Sequence, residues 1–291
     1  MIYITHGVVP QWRPERISHA LFHPDWLLAL HLERRPAKYV SLAQALQGEG
    51  DALTIDDATY GGMRAALLAL RYGHAVSWFV NGLHAAKGLP YFPFQLSALV
   101  DNTQRTDCSL DGCRWNLITP SDRRTFRQHL KGLYMRMSSA EEICELVERV
   151  AGSLEVSPGP LEQSLRTVTS ADLALAANAG VDLQNHGWSH LNPLALSETE
   201  RTVEAALNED YLLRYRRNGI RVYAPPFGAR VTLKSRVSDY ILLADRNLRT
   251  GRISGGAFNR CDLLLNDFAT LVAMESIVSP SVSAAKSVAI R

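Results

Sequence analysis

Residues 52–62 read Ala52-Leu53-Thr54-Ile55-Asp56-Asp57-Ala58-Thr59-Tyr60-Gly61-Gly62. The first four are apolar or β-branched, the composition of a short buried strand. The strand ends in two adjacent acids, and a helical pattern runs over 63–72 as far as Gly73. A strand that delivers carboxylates at its C-terminal end, just before a helix, is how barrel-type α/β enzymes place catalytic groups. Neighbouring strand side chains point opposite ways, so Asp56 and Asp57 share one site only if the strand stops there. The competing reading is a solvated acidic turn that caps the helix.

Working outward, Ala75-Val76-Ser77-Trp78-Phe79-Val80 is a second buried strand, and strand–helix–strand in about 30 residues marks a parallel βαβ unit with a right-handed crossover. Upstream, Ile2-Tyr3-Ile4-Thr5 reads as an opening strand that ends at His6. Downstream, Val181-Asp182-Leu183-Gln184-Asn185 runs into His186-Gly187-Trp188-Ser189-His190. Ile220-Arg221-Val222-Tyr223 runs into the rigid turn Ala224-Pro225-Pro226-Phe227-Gly228. Tyr240-Ile241-Leu242-Leu243-Ala244 and Asp262-Leu263-Leu264-Leu265-Asn266 read as two further strands. Helices are expected from Pro24, after Tyr39-Val40, from Ser138 as a cap, from Thr169 or Ser170, and from Ser197 through Tyr215. Residues 84–165 lack this rhythm and read as an inserted helical segment able to lid the site. The alternative is an ordinary part of the outer layer.

The chain has 291 residues, 46% of them hydrophobic, enough for a substantial core, and is expected to form a single domain over 1–291. A net charge of +2 argues against nucleic-acid or membrane-surface partners. The start has no basic or long apolar leader segment, so a soluble, cytoplasmic protein is expected. Cys108, Cys113, Cys144 and Cys261 are expected to be reduced thiols. The pattern with chemical content is one carboxylate plus two histidines four residues apart, a three-ligand metal set with open coordination positions.

Thr54-Ile55-Asp56-Asp57-Ala58, His186-Gly187-Trp188-Ser189-His190 and Ala224-Pro225-Pro226-Phe227-Gly228, each after a strand, together resemble the signature motifs of the polysaccharide deacetylases, carbohydrate esterase family four. The resemblance covers most of the chain outside 84–165 and implies a distorted (β/α) barrel of about seven strands. It implies that Asp57, His186 and His190 bind a divalent metal, zinc or else Co, Ni or Mn. Asp56 would then be the general base, and the backbone N–H of Phe227 would stabilise the oxyanion. Trp188, Pro226 and Tyr60 are candidate substrate contacts, Trp188 being equally readable as core.

Three positions depart from the family pattern. Gly187 replaces a serine or threonine that supports the metal site. Ala224 replaces an arginine that pairs with the base, so a raised pKa is expected for Asp56. Asn266 stands where the family has a histidine general acid, and asparagine delivers no proton. His6 is the candidate replacement, with a water or Asp267 as alternatives. The activity implied is removal of an acetyl or formyl group from an N-acylated amino sugar or related small intracellular substrate. The competing class is a degenerate relative that binds a carbohydrate or partner without turnover.

Overall fold

The computed structural model describes residues 1–216, 219–231, 233, 241–245 and 257–263. Seven parallel strands close a barrel: β1 Ile2–Thr5, β2 Ala52–Asp56, β3 Val76–Val80, β4 Asp182–Asn185, β5 Val222–Tyr223, β6 Ile241–Asp245 and β7 Ala257–Asp262. Each strand pairs with its neighbour in sequence, and β7 closes on β1 through Tyr3 opposite Cys261 and Ile4 opposite Asp262. In the ladder Ile55 lies opposite Thr5 and Trp78, while Asp56 lies opposite Phe79. Because all strands run the same way, their C-terminal ends share one face. That face receives His6, the two acids, His186 and the Pro225-Pro226 turn.

The helices are α1 Asp25–Arg34, α2 Leu42–Leu46, α3 Tyr60–Arg71, α4 Gly82–Lys87, α5 Phe92–Asn102, α6 Pro120–Tyr134, α7 Ala140–Leu154, α8 Ser170–Ala179 and α9 Glu198–Leu212. Their starts follow side-chain chemistry. Reciprocal capping boxes, Ser41 with Gln44, Thr119 with Asp122, Thr169 with Asp172 and Ser197 with Glu200, satisfy otherwise orphaned N–H groups. The helix after the acids starts three residues earlier than its apolar pattern suggests, because Thr59 accepts from the Gly62 N–H. The acids therefore do not cap it. Likewise Ser139, not Ser138, caps α7.

Between β3 and β4 the chain builds α4–α7 and, in place of an all-helical segment, also an antiparallel hairpin, Asp107–Leu110 with Cys113–Asn116. This region has an apolar core of its own, including Phe92, Leu96, Phe126, Leu130, Ile143 and Leu146. Leu191 and Leu196, just after the histidine pair, belong to the same core. The last barrel strand also differs from the sequence reading. It is Ala257–Asp262 and ends where 262–266 was expected to begin. Tyr39-Val40, which the sequence reads as a short strand leading into a short helix, forms no strand, and α9 ends at Leu212 rather than Tyr215. All four cysteines are free thiols. Among the described residues no helix is long and apolar enough to cross a membrane.

Candidate metal centre and active site

β2 ends at Asp56, and Asp57 takes a left-handed backbone conformation, φ 71°. That turn lets two adjacent carboxylates converge, at a cost of about 1–3 kcal/mol for a non-glycine residue. The surroundings hold it there. Trp78 Nε1 donates to the Asp57 carbonyl at 2.7 Å and the Thr59 N–H donates to the same oxygen at 3.0 Å. The glycines that follow permit close backbone approach: a Cβ on Gly61 would lie 2.7 Å from the Val8 carbonyl oxygen and 2.9 Å from that of Ser164.

The histidine pair leaves the end of β4 through Gly187, φ 81°, and reaches His190, φ 57°. Gly187 therefore serves backbone geometry, not hydroxyl chemistry. The loop is fixed by an asparagine network: Asn185 Oδ1 accepts from the Gly187 N–H at 2.9 Å and from Asn208 Nδ2 at 2.8 Å. Asn81 Nδ2 donates to the His186 carbonyl at 2.8 Å. The hydroxyl anchor sits two residues further on, where Ser189 donates through both its N–H and its Oγ to Glu204 Oε2, at 2.8 and 2.7 Å.

Asp57 Oδ1 lies 3.5 Å from His186 Nε2 and 3.5 Å from His190 Nε2, with all three residues buried. Their ligand atoms fall within 4.8 Å of one another, so the trio can hold a metal ion. The tautomers fit that use. His186 Nδ1 is 2.6 Å from the Ala224 carbonyl, which only accepts, so Nδ1 carries the proton and Nε2 faces Asp57. Burial, aided by His186 and His84, brings the His190 pKa down to about 3, so this ring is neutral at pH 7. Burial pushes the Asp57 carboxyl up, but the His186 hydrogen bond and the His190 and His6 charges outweigh it, and its pKa lies well below the usual value. Burial would lower the His186 pKa, but the neighbouring Asp56 and Asp57 carboxylates outweigh it and raise it, so a metal ion would take the place of a proton on Nε2. Two imidazole nitrogens and a carboxylate are the donor set of a catalytic zinc-type centre.

Asp56 corrects an expectation. Its cationic partner is not missing but comes from β7: Arg260 Nη1 and Nη2 donate to Oδ1 and Oδ2, both at 2.7 Å, with both side chains buried. The same guanidinium lies over the Phe79 ring, 5.2 Å from its centroid. Burial alone would raise the Asp56 pKa. Arg260, then His186 and His6, reverse that, and it is lowered rather than raised. Asp56 Oδ2 is 3.6 Å from His186 Nε2, beside the metal set.

The other sequence candidates divide. The Phe227 ring meets His190 edge-on at 4.9 Å, and Phe227 too is left-handed, φ 60°. Pro226 packs near Gly187, shaping the histidine loop. His6 is half-buried and near enough for its charge to act on both acids. Trp188 and Tyr60, read above as candidate substrate contacts, are each engaged by neighbouring helices. Trp188 meets Tyr211 edge-on, ring centroids 5.6 Å apart, and crowds Gly82, between α4 and α9. The Tyr60 hydroxyl donates to Asp172 Oδ2 at 2.8 Å, tying α3 to α8. Asn266 and Asp267 lie outside the described residues. Arg260, Glu204, Tyr91 and Tyr134 escaped the sequence reading. Tyr91 donates to Asp57 Oδ1 at 2.5 Å and Tyr134 to the His190 carbonyl at 3.0 Å. A cavity of about 310 Å³ opens beside Phe227, lined by Met135, Asn192, Leu194 and Arg230 among others.

With this geometry in hand, solved structures provide a match: the Streptococcus pyogenes deacetylase PplD in complex with acetate superposes with a TM-score of 0.54 at 15% identity, covering 91% of this chain and 92% of that one. The fold is that of the polysaccharide deacetylases. IcaB from Ammonifex degensii (TM-score 0.49, 12% identity, 94% of this chain and 95% of that chain) also matches. So does a de-N-acetylase from Aggregatibacter actinomycetemcomitans (0.43, 11%, 89% and 93%). No family model and no curated relative matches the sequence. What this chain shares with the deacetylase PplD is therefore architecture, and its chemistry rests on its own residues.

Proposed function

We propose that this protein is a metal-dependent N-deacylase, hydrolysing the amide of an N-acetylated or N-formylated amino sugar or related small compound. The observation that carries the reading is the buried convergence of Asp57, His186 and His190 beside an ion-paired Asp56. A divalent ion held by those three, zinc by preference, would supply a Lewis acid that activates water and polarises the acyl carbonyl.

The chain's own groups divide the remaining work. Asp56 takes the proton from the attacking water, and Arg260 holds its carboxylate ionised and aimed. The Phe227 N–H donates to the oxyanion as the carbonyl carbon becomes tetrahedral. His6 delivers a proton to the departing nitrogen as the C–N bond breaks, leaving a carboxylate and a free amine. The cavity beside Phe227 receives the acylated sugar, and the acetate complex of the deacetylase with this fold supports acetyl as the group removed.

The non-catalytic alternative drew its support from the absent arginine and the absent histidine; Arg260 gives Asp56 a cationic partner, and the histidine position, Asn266, lies outside the described residues. The test is release of acetate or formate from a panel of N-acyl amino sugars. Wild type turns over at least one of them, and Asp56→Asn loses that activity while remaining folded. Equal release by wild type and Asp56→Asn would defeat the proposal.

A further inference from the structure

Five non-glycine residues in the described chain have positive φ, and three of them, Asp57, His190 and Phe227, meet at this site. Two of the three are metal-ligand candidates, so something must hold them in a disfavoured backbone state with their donor atoms aligned. Both receive a tyrosine hydroxyl from the segment between β3 and β4. Tyr91 donates to Asp57 Oδ1 at 2.5 Å, the oxygen that faces both imidazole Nε2 atoms. Its ring also meets His190 at 5.0 Å, and it is wedged against His84 and Phe94. Tyr134, the last residue of α6, donates to the His190 carbonyl at 3.0 Å and lies 3.4 Å from His190 Nδ1. With its proton on the carbonyl, that hydroxyl has only lone pairs to offer Nδ1. Nδ1 then carries the ring proton, and Nε2 is left bare for coordination.

We propose that Tyr91 and Tyr134 are positioning residues of the metal centre, so that a region outside the barrel sets its metal affinity. The proposal rests on the metal-centre reading above. Both tyrosines are buried, Tyr134 within the apolar core shared by α5, α6 and α7, and that packing fixes where the hydroxyls sit. Asp57 and His190 thus take their orientation from α6 and from the turn before α5 as much as from β2 and β4.

The experiment compares Tyr91→Phe and Tyr134→Phe, singly and together, with wild type. Zn²⁺ affinity is read by competition with a chromogenic chelator, and ligand geometry by the visible absorption of the Co²⁺-loaded protein. Phenylalanine keeps the packing and removes only the hydroxyl. Each variant is expected to bind Zn²⁺ about 10- to 100-fold more weakly and to shift the Co²⁺ bands. Tyr39→Phe, which removes a buried hydroxyl bonded to His31 on the far side of the fold, leaves both readouts unchanged. Circular dichroism of each metal-free variant establishes that it is folded. Wild-type Zn²⁺ affinity and an unaltered Co²⁺ spectrum in both Phe variants would overturn this inference alone. A wild type that takes up neither ion would overturn the proposed function with it.

Discussion

Replacing Arg260 by methionine isolates the ion pair beneath the candidate base. Both side chains are at most 2% exposed, and the two bonds, each 2.7 Å, are bidentate. Removing one member of such a pair leaves the other charge buried and uncompensated, a loss of about 3–5 kcal/mol. In Arg260→Met the Asp56 carboxylate would keep His186, 3.6 Å away, as its nearest cationic partner. Converting both residues to apolar ones, Asp56→Leu with Arg260→Met, removes the charge and its partner together, and that exchange is close to neutral. The assay is urea unfolding of chelator-treated protein, followed by tryptophan fluorescence and far-UV circular dichroism. Expected is a loss of about 3–5 kcal/mol in each single variant and recovery to within about 1 kcal/mol of wild type in the double variant. Additive losses, or an Arg260→Met protein within about 1 kcal/mol of wild type, would refute the reasoning.

Three further outcomes follow from the geometry. Gly187→Ser restores the family hydroxyl but forces a side chain onto φ 81°; about 1–2 kcal/mol of stability should be lost and Zn²⁺ binding weakened, as measured by unfolding and chelator competition. Tyr60→Phe should cost about 1 kcal/mol through the lost bond to Asp172 and leave KM unchanged, whereas a raised KM would show Tyr60 to be a substrate contact. Burial lowers the His84 pKa to about 4, so the folded state takes up its proton later than the unfolded chain. Its contribution is fully present above pH 6.5 and is lost as pH falls toward 4, about 3 kcal/mol in all. Unfolding curves of His84→Gln should show a shallower loss across that window, and parallel slopes would contradict the assignment.

The parts of the fold visible in the sequence are those encoded locally. The apolar run 52–55 and its terminal acids, the 186–190 histidine spacing and the serine and threonine caps each depend on a few neighbouring residues. What escaped depends on closure. Arg260 reaches Asp56 from 204 positions away, and an arginine inside a strand reads as solvent-facing until the barrel places it inside. Reading 262–266 as the last strand put Arg260 before it, out of reach of the site. Tyr91 and Tyr134 lie in a region with no strand–helix rhythm, and only its packing onto the histidine loop brings their hydroxyls to the ligands. Trp188 and Tyr60 sit inside or beside motifs yet face the outer helices. Proximity in sequence to a ligand does not determine which side of the barrel wall a side chain meets.

The central claim is that Asp57, His186 and His190 form a metal centre, and elemental analysis of the purified protein tests it most directly. Wild type, reconstituted and then freed of loose ions, is predicted to hold about one divalent ion per chain. Asp57→Ala and His190→Ala, shown to be folded, are predicted to hold almost none. Wild type without bound metal after reconstitution, or alanine variants that retain it, would contradict the account.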